Sequence, residues 1–227
     1  MRVIVFSLVV LILSGCGTGH HKILGTTYGW SKDRVEILLD AQVGDLRIRH
    51  VRLKNGSCVS GYSEHLELDG RIGPDSTAIV GKLLPRLAKC ITSKGTRIVN
   101  TVYLSSGGGH LADGYELGEL FKKYRVETEI TGGQECASSC AIAFLGGKFR
   151  TMERDAKILF HAPYKHGMLA IDCSSRSEMT GLQNYYEKML GASNGGFLFD
   201  RTMSYCSSSS GWTLNADAAK LFGITTD

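Results

Sequence analysis

Hydrophobic and polar residues alternate in several short runs of this chain, a pattern typical of half-buried strands. The clearest runs are residues 46–53, 65–72 and 125–131. Apolar residues spaced three and four apart instead predict helices, most clearly over residues 111–124. Because strand and helix patterns alternate through the middle of the chain, the sequence predicts an α/β fold.

Further elements follow from the same pattern. A helix is expected to begin at Asp75 or Ser76, and Pro85 either kinks this helix or marks its true start. Residues 164–178 are polar and are predicted to be irregular. The remaining predicted elements are strands at 97–104 and 157–160 and helices at 141–145, 177–191, 195–206 and 214–223.

The N-terminal sequence has the organisation of an export signal. Arg2 precedes an apolar run over residues 3–13, which is shorter than the roughly 20 residues of a membrane-spanning helix. The sequence Leu13-Ser14-Gly15-Cys16 then resembles a bacterial lipobox, which implies cleavage before Cys16 and lipidation of that residue. A plain secretory signal with an incidental cysteine is the alternative. The predicted organisation is a signal peptide over 1–15, a lipidated tether and lead-in over 16–44, and an α/β domain over 45–227.

A lipid on Cys16 would attach the domain to a membrane of the bacterial cell envelope. Residue 17 is Gly rather than Asp. In a Gram-negative host this residue favours, by resemblance to lipoprotein signals, the periplasmic face of the outer membrane.

The chain has 7 cysteines, and lipidation of one explains the odd number. The others form an even set, which predicts disulfides outside the cytoplasm; they are Cys58, Cys90, Cys136, Cys140, Cys173 and Cys206. Several pairings remain open, since Cys136 can pair with Cys140 or either can pair with Cys173 or Cys206. A reactive thiol at the start of a helix is an alternative for Cys136 or Cys140. No C-x-x-C spacing occurs, so we expect no metal site.

The charge and glycine content of the chain argue against two classes of protein, nucleic-acid-binding proteins and collagens. The net charge is +4, basic residues are scattered, and no run of five like charges occurs. Nucleic acid is therefore not an expected partner. The 28 glycines have no three-residue period, which excludes collagen.

Two strand-to-helix turns and one histidine carry the residues suited to chemistry. The first turn contains Gly107-Gly108-Gly109, where backbone N–H groups can face a ligand. This turn lacks the nucleotide-binding fingerprints, so no nucleotide cofactor is indicated. The second turn, Ser138-Ser139, either caps a helix or presents a serine at a helix start that favours an oxyanion. His161 follows a predicted strand and precedes Pro163.

Taken in order, these segments resemble the Clp peptidase proteolytic subunit and its crotonase-fold relatives. The resemblance is strongest to exported Clp-like proteins with a Cys-x-Ser-x-Cys turn. It covers roughly residues 65–227 and implies a fold of stacked ββα units. The segments that carry it are Tyr103-Leu104-Ser105-Ser106-Gly107-Gly108-Gly109, Ala137-Ser138, Ala156 through Pro163, and Leu214 through Ile224.

The resemblance implies a role for four residues. Ser138 matches the nucleophile and His161 the general base. The backbone N–H groups of Gly109 and Ser139 match the oxyanion hole. The substrate would be an unidentified peptide or acyl group, and no cofactor is expected. Relatives assemble into trimers or rings, which implies a homo-oligomer by analogy, and the family's cytoplasmic ATPase partner is not expected here.

One position departs from the family pattern. The acid that orients the histidine aligns with Gly211. Asp200, Asp217 or a serine hydroxyl could substitute, or the Ser-His pair could act alone. Loss of the orienting acid costs about 10⁴ in turnover in a triad protease.

Two function hypotheses follow from this departure. One is a lipid-anchored Clp-like serine hydrolase, in the first place a peptidase. The other is a catalytically inactive Clp-like lipoprotein that acts as a binding or scaffold module. A crotonase-type acyl-CoA enzyme is disfavoured, because CoA is a cytoplasmic cofactor and the chain carries an export signal.

Overall fold

The computed structural model describes residues 21–23, 26–28, 35–166, 171–207 and 210–226. The predicted signal peptide and Cys16 lie outside the described residues, so lipidation stays a prediction. Within the described residues, no helix combines the length and the apolar character needed to cross a membrane.

The described residues form fifteen strands and six α-helices. The strands are β1 (His21–Ile23), β2 (Thr26–Tyr28), β3 (Val35–Val43), β4 (Leu46–Lys54), β5 (Tyr62–Gly70), β6 (Cys90–Ile91), β7 (Arg97–Ile98), β8 (Thr101–Ser105), β9 (Glu127–Ile130), β10 (Glu135–Ala137), β11 (Phe149–Met152), β12 (Lys157–Phe160), β13 (Tyr164–His166), β14 (Ile171–Cys173) and β15 (Trp212–Leu214). The helices are α1 (Ser76–Leu83), α2 (Leu111–Tyr124), α3 (Ser139–Phe144), α4 (Thr180–Leu190), α5 (Ala192–Met203) and α6 (Ala216–Leu221).

The main layer is a six-stranded mixed sheet of order β11-β9-β8-β5-β4-β3. Strands β3, β4 and β5 pair antiparallel, whereas β5, β8, β9 and β11 run parallel. Strand β3 falls within the stretch predicted as a lead-in, so the sheet begins at Val35. A mixed sheet with helical crossovers confirms the predicted α/β class.

A smaller sheet carries the second set of motifs. It contains β10, β12 and β15, with β10 parallel and β15 antiparallel to β12. A parallel bridge between Ser106 and Cys136 connects the end of β8 to β10. This bridge brings the glycine run beside the serine turn.

Helix α2 packs closely on α3 because α2 contains two glycines at the contact. A Cβ placed on Gly114 would lie 2.6 Å from the carbonyl oxygen of Ser139. A Cβ placed on Gly118 would lie 1.8 Å from the hydroxyl of Tyr185. That hydroxyl donates to the carbonyl of Ile142 at 2.9 Å, which ties α4 to α3. The helix that follows Ser138 is therefore fixed from two sides.

Three predicted elements differ in the structure. Residues 164–178, predicted to be irregular, contain the hairpin of β13 and β14, whose strands are too short to show alternation. The predicted strand over 97–104 is divided, because β7 pairs with β6 while β8 joins the main sheet. The predicted helix over 214–223 begins only at Ala216, since the Asn215 side chain accepts the Ala218 amide at 2.9 Å and caps the helix there.

The structure also shows which residue begins α1 and where Pro85 lies relative to this helix. Asp75 precedes α1 with a φ of 76° but makes no side-chain cap, whereas the Ser76 hydroxyl donates to the carbonyl of Gly73 at 2.6 Å. Pro85 lies in the 3₁₀ turn Leu84–Arg86 and neither kinks nor starts the helix. Pro85 lies two residues beyond the end of α1, so its missing amide removes no hydrogen bond within that helix.

The six cysteines predicted to form disulfides do so, in the pairs Cys58–Cys90, Cys136–Cys140 and Cys173–Cys206. The first pair joins the middle of the β4–β5 loop to the first residue of β6. The third pair joins β14 to the segment after α5. The second pair spans the serine turn, as one of the predicted alternatives.

Candidate active site

Two neighbouring parallel strands carry the predicted catalytic pair just beyond their carboxyl ends. Strands β10 and β12 pair with Ala137 opposite Leu159. Ser138 directly follows β10, and its amide extends the ladder by donating to the carbonyl of Leu159 at 2.9 Å. His161 directly follows β12. Both side chains therefore leave the small sheet at the same edge.

Ser138 lies in a tight turn between β10 and α3. Its φ is 56° and its ψ is −122°, a left-handed backbone conformation that residues other than glycine rarely adopt. Its carbonyl accepts the amide of Ile142 at 3.1 Å, and the Cys136–Cys140 disulfide closes the turn around it. A strained serine between a strand and a helix is a geometry that exposes a nucleophilic hydroxyl in α/β-hydrolases.

The glycine run lies directly against this turn. The Ser106 amide donates to the carbonyl of Glu135 at 2.9 Å, and the Ser106 carbonyl accepts the amide of Ala137 at 2.8 Å. A Cβ placed on Gly108 would lie 2.6 Å from the Cβ of Ser138. Only glycine fits at this position, where φ is 97°.

Two backbone amides beside Ser138 have no protein acceptor. The amide of Gly108 donates to the hydroxyl of Ser106 at 3.0 Å. Among the described residues, the amides of Gly109 and Ser139 donate to no protein group. Gly109 has a φ of 150°, and a Cβ there would lie 1.9 Å from the carbonyl oxygen of Ile72. The two amides that the family resemblance implies as an oxyanion hole therefore have no protein acceptor in the described part of the chain.

A cavity of about 860 Å³ opens in front of these groups. Ser138 and His161 both line it, together with the glycine run. Burial raises the pKa of Tyr115, another lining residue, to about 12, so its hydroxyl stays protonated near neutral pH. Apolar and aromatic parts of the wall come from Leu111, Tyr115, Ile142, Pro163, Tyr164 and Met179.

The backbone orients the imidazole of His161. Its Nδ1 lies 2.9 Å from the carbonyl oxygen of Ala162. Since a carbonyl oxygen only accepts, Nδ1 carries the proton and Nε2 keeps its lone pair. The Ala162 amide donates to the carbonyl of Tyr205 at 2.9 Å, and the ring of Tyr164 lies 5.4 Å from the imidazole centroid. The strand end that bears His161 is therefore fixed on both sides.

Ser138 and His161 are not hydrogen-bonded to each other. In the described part of the chain, neither the Ser138 hydroxyl nor the His161 Nε2 has a hydrogen-bond partner. Catalytic hydrogen bonds are often long without substrate and shorten in the complex. Both groups are available to a substrate in the shared cavity.

Gly211 lies at the strand end beside His161, where the family pattern has an acid. Strand β15 pairs with β12 so that Trp212 lies opposite Phe160. A Cβ placed on Gly211 would lie 2.5 Å from the carbonyl oxygen of Phe160. The position therefore has no room for a side chain without a shift of the backbone.

The residues suggested as substitutes for the acid that orients the histidine do not line the cavity or lie outside the described residues. Asp200 forms an exposed ion pair with Arg176, and Asp217 lies in the first turn of α6. Neither lines the cavity. Ser208 and Ser209, two of the serines that could have substituted, lie outside the described residues. Among the residues that the structure describes, no group of three or more His, Cys, Asp or Glu could hold a metal ion.

Several residues of the site had no signal in the sequence. Arg71 lines the cavity although it lies far along the chain from the serine and histidine motifs, whereas Lys165 belongs to the segment after His161 that could be expected to line the site. The carbonyl of Ala162 could not be predicted as a partner of His161, because a backbone acceptor leaves no trace in residue identity. Arg71 directly follows β5, and this position at the end of an alternating strand was the single available hint for it.

Comparison with solved structures identifies the fold. A ClpP1 variant from Listeria monocytogenes aligns with a TM-score of 0.50 and 17% identity, covering 71% of this chain and 88% of that chain. The membrane-bound stomatin-specific protease 1510-N aligns in two structures with TM-scores of 0.54. These two are 11% and 12% identical, and the alignments cover 70% of this chain and 75% and 71% of theirs.

The chain has the Clp-peptidase fold. No family model and no curated protein matches the sequence. At such low identities the likeness is one of fold, which confirms the predicted fold class. Its export, anchoring and activity are separate questions.

Proposed function

We propose that this chain is a serine hydrolase that cleaves peptide bonds, with Ser138 as nucleophile and His161 as general base. The observation that carries the proposal is the positive φ of Ser138, which presents its hydroxyl in a cavity shared with His161. The free amides of Gly109 and Ser139 lie beside it and supply what an oxyanion needs.

The chemistry follows from these positions. Nε2 of His161 takes the hydroxyl proton as Oγ of Ser138 attacks the substrate carbonyl carbon. The same proton passes to the leaving amine as the C–N bond breaks, which leaves an ester on Ser138. His161 then takes a proton from water, whose oxygen attacks the ester and releases the carboxylic acid product as the proton returns to Oγ.

The Ala162 carbonyl performs part of the task of a triad acid. It holds the ring of His161 with Nδ1 protonated, so Nε2 is the base. A carbonyl carries no full negative charge, so it stabilises the imidazolium less than a carboxylate does. Because removal of the acid costs about 10⁴ in a triad protease, we expect slow turnover.

The fold neighbours favour a peptide as the first substrate to test. Both are described as ClpP or as a protease, and one of the 1510-N structures holds a substrate peptide. An acyl ester remains the second substrate class, because the same nucleophile and oxyanion hole would cleave it.

A fluorophosphonate probe tests the proposal. We expect it to label the purified wild-type protein covalently and to fail on Ser138→Ala. Ser139→Ala is the matched control, because its hydroxyl is buried and hydrogen-bonded to nothing in the described part of the chain. Loss of labelling in Ser139→Ala with retention in Ser138→Ala would reverse the assignment. His161→Gln should reduce the labelling rate without unfolding the protein.

A non-catalytic binding module is the second candidate function. Gly211 favours it, because no acid faces His161 at the position where the family has one. A folded wild-type protein that shows no Ser138-dependent labelling over hours would select this alternative and would exclude the hydrolase.

Location and assembly complete the proposal. We propose a lipid anchor on Cys16, in the bacterial envelope, and a homo-oligomer. Cys16→Ser should move the protein from the membrane to the soluble fraction and abolish a lipid mass shift. Light scattering of the domain without the signal peptide tests the oligomer.

A further inference from the structure

Two positively charged side chains, Arg71 and Lys165, line the cavity that contains Ser138. The described lining contains no Asp or Glu. His110 also contributes to the lining, but its Nδ1 lies 2.7 Å from the carboxylate of Asp113, which offsets its charge. The charge that faces a bound substrate is therefore positive.

Arg71 lies beside the glycine run that lines the cavity. A Cβ placed on Gly109 would lie 3.1 Å from Cγ of Arg71, so the Arg71 stem runs alongside the free amide of the glycine run. Arg71 is exposed and forms no ion pair among the described residues. Its guanidinium is free to bind a carboxylate through two hydrogen bonds.

Lys165 is the second cation of the cavity lining. It lies on β13, in the segment that follows His161. Asp172 is its cross-strand neighbour. Hydrogen bonds from Ser175 lower the pKa of the nearby Glu178 carboxyl, and Lys165 adds a smaller electrostatic contribution. In the described part of the chain, neither acid forms an ion pair with Lys165, and the Glu178 carboxylate accepts the amide and the hydroxyl of Ser175 at 2.7 Å each.

We propose that the cavity selects peptides that carry an acidic side chain within one or two residues of the scissile bond. Arg71 is the main specificity-determining residue, and Lys165 adds a second positive charge to the same cavity. The inference rests on the proposed function in one respect, since it assumes that the bound peptide is cleaved. The preference for an acidic side chain is itself a property of binding and can be measured without cleavage.

Binding to Ser138→Ala tests this selection without turnover. The probes are fluorescein-labelled peptides of alanine and glycine in which one central residue is Glu, Gln or Lys, and the readout is fluorescence anisotropy. Because exposed ion pairs contribute modestly, we expect the Glu peptide to bind about three- to tenfold more tightly than the Gln peptide. The Lys peptide should bind more weakly than the Gln peptide. The preference should shrink in about 0.5 M salt, since screening weakens exposed pairs.

Matched variants assign the preference to the two residues. Arg71→Gln should remove most of it, and Arg71→Gln with Lys165→Gln should abolish it. The control is Lys94→Gln with Arg97→Gln, which removes the same net charge from exposed positions outside the cavity lining. Thermal unfolding of each variant verifies that it is folded.

The outcomes of these experiments distinguish a failure of the proposed peptide selection from a failure of the proposed hydrolase function. Equal binding of the Glu and Gln peptides, or a preference that survives in the double variant or is lost in the control, would overturn it. If the neutral fluorophosphonate labels the wild-type protein but the Glu peptide binds no more tightly than the Gln peptide, the proposed hydrolase stands and the proposed selection of acidic peptides is wrong. Glu selectivity without labelling would keep the selection as a property of a binding module.

Discussion

Gly108 packs directly on Ser138, since a Cβ at Gly108 would lie 2.6 Å from the Cβ of that serine. The contact means that the glycine run and the serine turn cannot move independently. A displacement of about 1 Å at a reacting group can cost about 10²-fold in rate. The contact is thus a direct way to disturb the proposed nucleophile without removing it.

Gly108→Ala should therefore lower the fluorophosphonate labelling rate by about 10² or more. The added methyl group also meets the carbonyl oxygen of Ala137 at 2.7 Å, and φ at this position is 97°. Gly107→Ala is the matched control, because a Cβ there has no atom within 4 Å. If both variants are labelled at the wild-type rate, the proposed site geometry is wrong.

The Cys136–Cys140 disulfide should matter more for activity than for stability. It closes a sequence separation of only 4, so chain entropy predicts a loss of about 2 kcal/mol when both cysteines become alanine. The labelling rate should fall by at least about tenfold, because the turn around Ser138 is released. Chemical denaturation and labelling of the double variant measure the two effects.

The Cys58–Cys90 disulfide provides the opposite case. Its separation is 32, which predicts a loss of about 4 kcal/mol on removal. Neither cysteine lines the cavity, so the labelling rate of the folded variant should stay within a few-fold of wild type. A large loss of labelling here with none at Cys136–Cys140 would contradict the assignment of the second disulfide to the site.

An acid restored at position 211 should not rescue the enzyme. Gly211→Asp places a Cβ 2.5 Å from the carbonyl oxygen of Phe160, so we expect a loss of about 1–3 kcal/mol and no gain in labelling. Exposed Ser210→Asp adds the same charge at the neighbouring position and should be nearly neutral. Faster labelling by Gly211→Asp would show that a carboxylate is accommodated and improves the orientation of His161.

Glu64 should make the stability of the domain depend on acid pH. Burial opposes its ionisation, but hydrogen bonds from the Ala88 amide at 2.8 Å, from His50 and from Arg52 outweigh that effect and lower the pKa of the carboxyl. A lowered pKa stabilises the fold above the unfolded value near 4.3 and loses that contribution as the pH falls.

Glu64→Gln should therefore destabilise the protein by about 1–3 kcal/mol at pH 7. The difference from wild type should narrow as the pH falls below about 4, because the Glu64 carboxyl of the unfolded chain takes up a proton there before the native carboxyl, whose pKa is lower. Urea denaturation at both pH values measures it. Glu36→Gln, which removes an exposed partner of Arg52, should change stability by less than about 0.5 kcal/mol at either pH, and a larger effect would refute the assignment to Glu64.

The sequence alone determined the fold class and the identity of the candidate pair. Alternation in β4 and the apolar spacing of α2 are local patterns, so they can be read without tertiary contacts. The glycine run and the Ser138–His161 pair were predicted from the resemblance to the Clp peptidase family, which depends on residue types and their order along the chain. The hairpin that follows His161 was missed, because strands of three residues are too short to show a period.

Only the tertiary structure decided which groups meet. The contact of Gly108 with Ser138 and the position of Arg71 in the same cavity depend on how distant strands align, and the pairing of Cys136 with Cys140 was one of several that the sequence left open. The family resemblance implies an acid beside His161, but the sequence has Gly211 at that position. In the structure the Ala162 carbonyl accepts the Nδ1 proton of His161 instead. Backbone groups are the same in every residue, so a site built partly from them can be recognised only once the chain is folded.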